Sequence, residues 1–297
     1  MDASVTESPR LGIRSPLSLL PLELQYAIIG WLQEDQPAIA SCSLVCRRWQ
    51  PIGQSILFQT VKFQRSGETR VPRFLQFVRA NLDIAGYIHA LHLDGFYKLS
   101  FGALRVAVGT MTHLHTLKLL LVTLQFDPAD SESSHVAHPR PSLKKLVISY
   151  CDPSPSSDNN IAKLLSVVCL FSEIDHLAVK GDDWVTLSSI DGYVDQAPVV
   201  RSLKVYTRQE TRVFAMHRMV RASGSLRGRI SYLGISAGTI AAAVALAGLV
   251  REAGPHLRTL KLSLFYEGWG DVSVSGECSM LHLECPESRY YVRQSVV

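Results

Sequence analysis

A spaced apolar triplet of the form L-x-x-L-x-L recurs seven times along the chain. Its last two apolar residues lie on one face of a short strand, and the first packs the turn that leads into that strand. The last apolar residues of the seven copies are Leu93, Leu119, Ile148, Val179, Val205, Ile235 and Leu262. Their successive spacings of 26, 29, 31, 26, 30 and 27 residues predict a regular series of strands.

Helical patterns lie between the triplets, for example at 159–171, 210–220 and 238–250. This alternation predicts an α/β fold with a parallel sheet. One strand–helix unit cannot bury its own apolar face, so stacked units share a core, which predicts a solenoid over 88–297. A degenerate eighth copy lies at 278–283. No closing helix is predicted after it, so truncation of the solenoid at its C-terminus is one interpretation. An ordinary parallel α/β domain is the alternative.

The repeated unit resembles the leucine-rich repeat in an irregular form. That family usually places Asn or Cys three residues after the last apolar residue, where the side chain ties adjacent backbone turns together. Only Cys151 satisfies this rule here. The other six positions hold Phe96, Val122, Asp182, Arg208, Gly238 and Phe265. The resemblance therefore implies an irregular leucine-rich-repeat solenoid with a parallel sheet.

The N-terminal part of the chain lies outside the repeat and has a helical pattern. Leu24, Ile28 and Leu32 follow one another at four-residue spacing, and Pro21 suits the first turn of a helix. A polar turn at 33–37 separates this run from two further helical runs. The predicted segments before the solenoid are a disordered N-terminus at 1–15, a three-helix segment at 16–62 and a helical linker at 63–87.

The three-helix segment resembles the F-box motif. The residues that carry the resemblance are Leu20, Pro21, Glu23, Leu24, Ile28, Ile29, Leu32, Leu44, Val45, Cys46, Trp49, Leu57 and Phe58. The connection near 34–36 is about two residues longer than the commonest form, which a surface turn tolerates. The chain as a whole is similar to fungal-type F-box proteins that carry an irregular leucine-rich-repeat solenoid.

The resemblance implies a receptor rather than an enzyme. F-box segments dock on the Skp-type adaptor of SCF-type cullin-RING ubiquitin ligases, while the repeats hold the protein to be ubiquitylated. The implied partners are the Skp-type adaptor, the cullin scaffold and an unknown protein substrate, without cofactor or metal. Adaptor binding is assigned to Leu20, Pro21, Leu24, Ile28, Ile29, Leu32, Leu44, Val45, Cys46 and Trp49. We expect Leu20, Pro21, Leu24 and Ile28 to form the outer face.

Two alternatives to the ligase receptor stay open. The N-terminal helices could serve only to cap the open end of the solenoid, which would leave a protein-binding scaffold without a ligase role. The segment GISAG, at 234–238, matches the nucleophile elbow G-x-S-x-G and makes Ser236 a candidate nucleophile of a serine hydrolase. The hydrolase is disfavoured because few acids and bases follow the motif and no HGGG-like segment precedes it.

Composition and charge narrow the function classes. With 297 residues, 47% hydrophobic and 19% charged, the chain can bury a substantial core. A formal net charge of +4 gives no support for nucleic-acid binding, and none is expected. The six cysteines show no C-x-x-C pair, and the first residues carry no signal or transit pattern. We therefore expect a location in the cytosol, the nucleus or both.

Three further stretches could carry a function, and each has a simpler interpretation. Residues 230–250 carry no charge and are long enough to span a membrane, but they divide into a strand-like and a helix-like half, so no membrane span is expected. His135 and His138 have a spacing that a metal site can use, yet they lie in a Pro- and Ser-rich loop without further ligands. A run of basic residues is interpreted as a solvated helix end, and it comprises Arg218, Arg221, Arg227 and Arg229.

Overall fold

The chain divides into two compact units, Met1–Gln59 and Thr60–Val297. The computed structural model describes residues 20–64, 69–126, 140–149, 165–180, 196–207, 210–225, 229–237, 248–253, 256–264 and 289–292. The predicted disordered N-terminus, the degenerate eighth triplet, and His135 with His138 lie outside the described residues.

Three helices make up the described part of the first unit, and they are α1 (Leu22–Gly30), α2 (Gln36–Val45) and α3 (Trp49–Gln59). Pro21 directly precedes α1. Asp35 caps α2, because its carboxylate accepts a 3.0 Å hydrogen bond from the backbone N–H of Ala38. Pro37 in the first turn of α2 has no N–H to leave unpaired. These local signals produce the three helices that the sequence predicts.

The core of the first unit is small. Its buried members are Ile29, Ile39, Trp49 and Ile52. Half-buried side chains that pack against it are Ile28, Leu32, Cys42, Cys46, Ile56 and Leu57. Gly53 permits α2 and α3 to approach closely, since a Cβ at this position would lie 2.8 Å from the Cβ of Ser43.

A nine-stranded sheet forms the frame of the second unit. Its strands are β1 (Thr60–Gln64), β2 (Ala90–Ser100), β3 (Thr116–Gln125), β4 (Ser142–Ser149), β5 (Glu173–Lys180), β6 (Val199–Thr207), β7 (Tyr232–Ala237), β8 (Thr259–Leu264) and β9 (Arg289–Val292). They lie side by side in sequence order, and each pairs with the next in parallel. The predicted α/β class with a parallel sheet is therefore confirmed.

Helices lie between β1 and β2, between β2 and β3, and between β6 and β7. The described helices of this unit are α4 (Arg70–Ala80), α5 (Leu82–Tyr87), α6 (Phe101–Thr110) and α7 (Glu210–Ala222). Residues 165–168 and 248–253 are helical as well. The helices bury apolar side chains such as Leu75 of α4 and Leu104 of α6. Parallel neighbours require such crossover connections.

The register of the sheet aligns the seven predicted triplets. Their middle residues form one continuous row, in the order Leu91, Leu117, Leu146, Leu177, Leu203, Leu233 and Leu260. Their last residues form a second row two positions later, from Leu93 to Leu262. The middle residues are all buried. The leucines of neighbouring strands therefore lie side by side in a shared core, as expected for units that cannot bury their apolar face alone.

Two strands lie where none was predicted. β1 pairs with β2 and holds Val61 and Phe63 beside Leu91 and Leu93. In its described part, the segment 63–87 that was predicted as a helical linker holds the end of β1 and then α4 and α5, all within the second unit. β9 pairs with β8 near the end of the chain. The predicted boundary at residue 62 lies three residues beyond the observed one at Gln59.

The uncharged stretch at 230–250 begins as β7, which pairs with β6 and β8. Residues 248–250 at its end are helical, and 238–247 lie outside the described residues. A single membrane-spanning helix over this stretch is incompatible with the strand. Among the residues described, no helix combines the length and the apolar character that a membrane crossing needs.

Candidate binding surfaces

The first unit exposes large apolar side chains on its helices. The six that are at least 48% exposed are Leu22, Leu24, Tyr26, Trp31, Leu44 and Val45, here named the apolar surface. Trp31 and Leu44 are 84% and 87% exposed. Exposed apolar side chains are ordinary when scattered over a large protein, but five of them on α1 and α2, with Trp31 directly after α1, are a high density for so small a unit.

The ten residues assigned to adaptor binding fall into three groups by exposure. Pro21, Leu24, Leu44 and Val45 are exposed. Leu20, Ile28, Leu32 and Cys46 are half-buried. Ile29 and Trp49 are buried in the unit's own core and support the helices rather than face solvent.

Three members of the apolar surface were absent from the sequence-based assignment, namely Leu22, Tyr26 and Trp31. Leu22 and Tyr26 stand four residues apart, a helical spacing that was available as a signal. The predicted stripe of Leu24, Ile28 and Leu32 instead runs from solvent into the core.

The second unit presents a polar face on the side of the sheet opposite the buried leucines. Along β1–β8 the residues that alternate with these leucines form three rows in register, here named the open face. The first row holds Thr60, Ala90, Thr116, Lys145, His176, Ser202, Tyr232 and Thr259. The middle row holds Lys62, His92, Lys118, Val147, Ala178, Lys204, Gly234 and Lys261. The third row runs through Gln64, Asp94, Leu120, Ser149, Lys180, Tyr206, Ser236 and Ser263.

Positive charge gathers around His92 at the β1–β4 end of the open face. Partial burial lowers the pKa of His92, and the ammonium groups of Lys118, Lys62 and Lys145 lower it further. Four basic groups from four neighbouring strands therefore share one region, and the imidazole stays neutral at physiological pH.

A histidine cluster lies beside this region, where the chain leads into β2 and β3. The ring of His89 lies 6.1 Å from that of His113 and 5.3 Å from that of His115, measured between centroids. Burial lowers the pKa of His115, with smaller contributions from Lys144 and the two other histidines. In the part of the chain that the structure describes, no group of three or more potential ligands could hold a metal ion.

A second basic region surrounds Tyr232 on β7. The Nζ of Lys204 lies 5.2 Å from the centre of the Tyr232 ring, and the Nζ of Lys261 lies 6.0 Å from it. Lys180 stacks in the same way on Tyr206, at 4.7 Å. Ammonium groups at these distances are attracted to the ring faces. Burial raises the pKa of Tyr232, so its hydroxyl stays protonated and can donate a hydrogen bond.

Gly234 makes room for the Tyr232 ring. A Cβ at Gly234 would lie 3.0 Å from Cε1 and 3.1 Å from the hydroxyl oxygen of Tyr232. The ring thus lies over the glycine, in the middle row, between Lys204 on β6 and Lys261 on β8. Any larger residue at 234 would displace the ring.

A concavity of about 410 Å³ opens beside Tyr232, lined by Asp175, His176, Arg201, Ser202 and Lys204 among others. Arg201 is held on its wall by Glu173, at 2.6 Å, and by Asp175, at 3.3 Å. Arg201 therefore contacts both carboxylates, and Lys204 and His176 line the same concavity.

Ser236, Cys169 and the basic run lie outside the two surfaces described above or within the strands of the sheet. Ser236 lies inside β7, paired in register with Tyr206 and Ser263, whereas a nucleophile elbow places its serine on the turn after a strand. Cys169 is buried, which raises the pKa of its thiol to about 12 and keeps it protonated. Within the basic run, the Nε of Arg221 lies 3.7 Å from Glu252. Arg227 lies outside the described residues.

No family model matches the chain, and no curated protein matches it either.

Proposed function

We propose that this chain is the substrate-recognition subunit of an SCF-type ubiquitin ligase, in which the first unit is an F-box that docks on a Skp-type adaptor. The observation that carries the proposal is the apolar surface, on a unit whose core, over the described residues 20–59, has four buried apolar members. Burying one leucine side chain is worth about 1.5–3 kcal/mol, so an adaptor that covers several of them gains substantial binding energy.

The split of the F-box-like residues supports this function. Ile29 and Trp49 lie in the core, where they hold the three helices together. Leu24 and Leu44 point to solvent, where nothing in the unit's own packing requires a large apolar side chain. An arrangement of this kind is expected of a segment that a second protein completes.

The second unit supports the receptor role. Parallel strands in sequence order, with leucines aligned from strand to strand, are what stacked leucine-rich repeats produce. We infer that this unit is an irregular leucine-rich-repeat solenoid that holds the target protein. The proposed subunit is not catalytic and works in the cytosol, the nucleus or both, together with a cullin scaffold.

The experiment is a pull-down of the purified full chain with a purified Skp-type adaptor. We compare wild type with Leu24→Asp/Leu44→Asp, which places two carboxylates in the apolar surface. We expect binding to weaken by about 100-fold, because two buried leucine contacts are lost. The control is Leu82→Asp, a single substitution of the same kind at a 65% exposed leucine of the second unit, which should bind like wild type.

Circular dichroism of each variant establishes that the helices remain folded. Failure of the folded wild-type chain to bind the adaptor would refute the ligase role and favour a repeat scaffold. Equal losses in the double variant and in the Leu82→Asp control would show that the apolar surface is not the docking site.

A further inference from the structure

The open face carries far more positive than negative charge. Its three rows contain six lysines, Lys62, Lys118, Lys145, Lys180, Lys204 and Lys261, and a single carboxylate, that of Asp94. Glu173 and Asp175 at the start of β5 both contact Arg201. The chain as a whole has a net charge of only +4, so this excess is a local property of the face.

Part of this charge is held in place before any partner arrives. Lys204 and Lys261 stand on either side of the Tyr232 ring, and Gly234 leaves the space that the ring occupies. Lys180 is held over Tyr206 in the same way. Side chains fixed on aromatic rings lose less conformational freedom on binding than free lysines do.

We propose that the open face binds an extended, Asp- and Glu-rich segment of a partner protein. The carboxylates of that segment pair with the lysines of the middle row, and the hydroxyl of Tyr232 donates a hydrogen bond to one of them. This inference rests on the proposed function in one respect, because it names the chemistry of the target that the receptor holds.

The spacing of the middle row specifies the acidic pattern. Neighbouring strands lie about 4.8 Å apart, so Lys62 and Lys118, two strands apart, are separated by roughly 10 Å, as are Lys204 and Lys261. An extended chain advances about 3.3 Å per residue, so each lysine pair matches carboxylates about three residues apart. Lys118 and Lys204 are three strands apart, so the two inner carboxylates of the segment should be about four residues apart.

The centre of the open face favours a peptide over a nucleic acid. Val147 and Ala178 occupy the middle row between the two lysine pairs, and Leu120 lies in the row beside them. A phosphodiester backbone carries charge at every nucleotide, whereas a peptide can place an apolar residue between two acidic groups. The predicted ligand is thus acidic at both ends and apolar in the middle.

Fluorescence anisotropy tests the inference with the full chain and a labelled peptide of roughly eleven residues that follows this pattern, with Glu at the acidic positions and Leu at the centre. A peptide with Gln in place of every Glu is the ligand control. We expect the Glu peptide to bind at least tenfold more tightly than the Gln peptide.

Two double variants distinguish binding at the lysines of the open face from a nonspecific effect of net charge. Lys204→Glu/Lys261→Glu should weaken binding of the Glu peptide by at least tenfold. Its matched control, Arg79→Glu/Arg251→Glu, makes the same change in net charge at exposed helical positions and should leave binding within about twofold. Tyr232→Ala keeps the charge and should weaken binding by about threefold, since it removes the ring on which Lys204 and Lys261 lie and the hydroxyl that donates to the peptide.

Equal losses in the lysine and arginine variants, or equal binding of the Glu and Gln peptides, would overturn the inference. So would tighter binding of single-stranded DNA or of a phosphoserine peptide of the same spacing. The Leu24→Asp/Leu44→Asp variant distinguishes this inference from the proposed function, because it should lose the adaptor and keep the peptide. Peptide binding that fails while adaptor binding persists refutes the acidic target alone.

Discussion

The two units use leucine in opposite ways. In the second unit, Leu177, Leu203 and Leu233 lie in a row across adjacent strands and are at most 1% exposed. In the first unit, Leu24 and Leu44 are 50% and 87% exposed. Repeats supply each other's apolar partners along the chain, whereas a three-helix unit offers too little surface to cover all of its own. Leucine is therefore buried by neighbouring strands in one unit and left exposed on the helices in the other.

Truncating one leucine in each unit gives the largest contrast. Leu203→Ala should lower the free energy of unfolding by about 4 kcal/mol, because it opens a cavity between two neighbouring strands. Leu44→Ala should change it by less than about 0.5 kcal/mol, since the side chain is already in water. Urea denaturation of both variants measures the difference, and comparable losses would contradict the contrast between the units.

The next effect concerns the packing of α2 against α3. Gly53→Ala should destabilise the first unit by about 2 kcal/mol, because the new Cβ would meet the Cβ of Ser43 at 2.8 Å. Gly30→Ala is the matched control, since a Cβ there meets nothing within 4 Å. Thermal unfolding followed by helical circular dichroism compares the two. A Gly53→Ala variant as stable as Gly30→Ala would show that the helices do not pack this closely.

A buried hydroxyl gives a smaller effect in the second unit. Ser225 is fully buried, and its hydroxyl oxygen accepts a 2.8 Å hydrogen bond from the backbone N–H of Val200 at the start of β6. Ser225→Ala leaves that N–H without its partner and should cost about 1.5 kcal/mol in urea denaturation. Ser41→Ala, at an exposed serine of α2, is the control and should be nearly neutral. A neutral Ser225→Ala would mean that the N–H finds another partner.

The smallest effect is a pH dependence of the second unit. The pKa of His92 is lowered in the folded chain, so below about pH 6.5 the unfolded chain binds protons that the folded chain resists. This contribution to stability is present above that pH and is lost as the pH falls. His92→Gln should therefore reduce the drop in melting temperature between about pH 7.5 and pH 5.5. An identical drop in wild type and variant would contradict the lowered pKa.

Much of the sheet could be predicted from the triplets, because an alternating apolar pattern has only one arrangement that buries it. β1 has the same signal: the segment FQTVKF, at 58–63, matches the triplet, with a spacing of 30 residues from Phe63 to Leu93. The resemblance of Leu57 and Phe58 to the end of the F-box motif hid it. β9 lacks an apolar residue at the first triplet position, so the pattern did not indicate it.

Less of the open face and of the apolar surface could be predicted from the sequence. Lys62, Lys118, Lys204 and Lys261 all occupy the position between the last two apolar residues of a triplet, so the basic row could have been read from the pattern. The Tyr232 arrangement could not, because the pattern does not fix the side-chain conformations that place the ring over Gly234 and near the two lysines. Exposure of Trp31 and Leu44 depends on which face of each short helix packs inward, and periodicity leaves that open.

Hydrogen–deuterium exchange of the full chain, with and without the purified Skp-type adaptor, tests most directly the claim that the first unit is completed by a partner. We predict that the adaptor slows exchange in α1 and α2. These helices carry five of the six members of the apolar surface, and the sixth, Trp31, directly follows α1. The strands of the second unit should exchange at an unchanged rate. Unchanged exchange in α1 and α2, or protection confined to the sheet, would contradict the account.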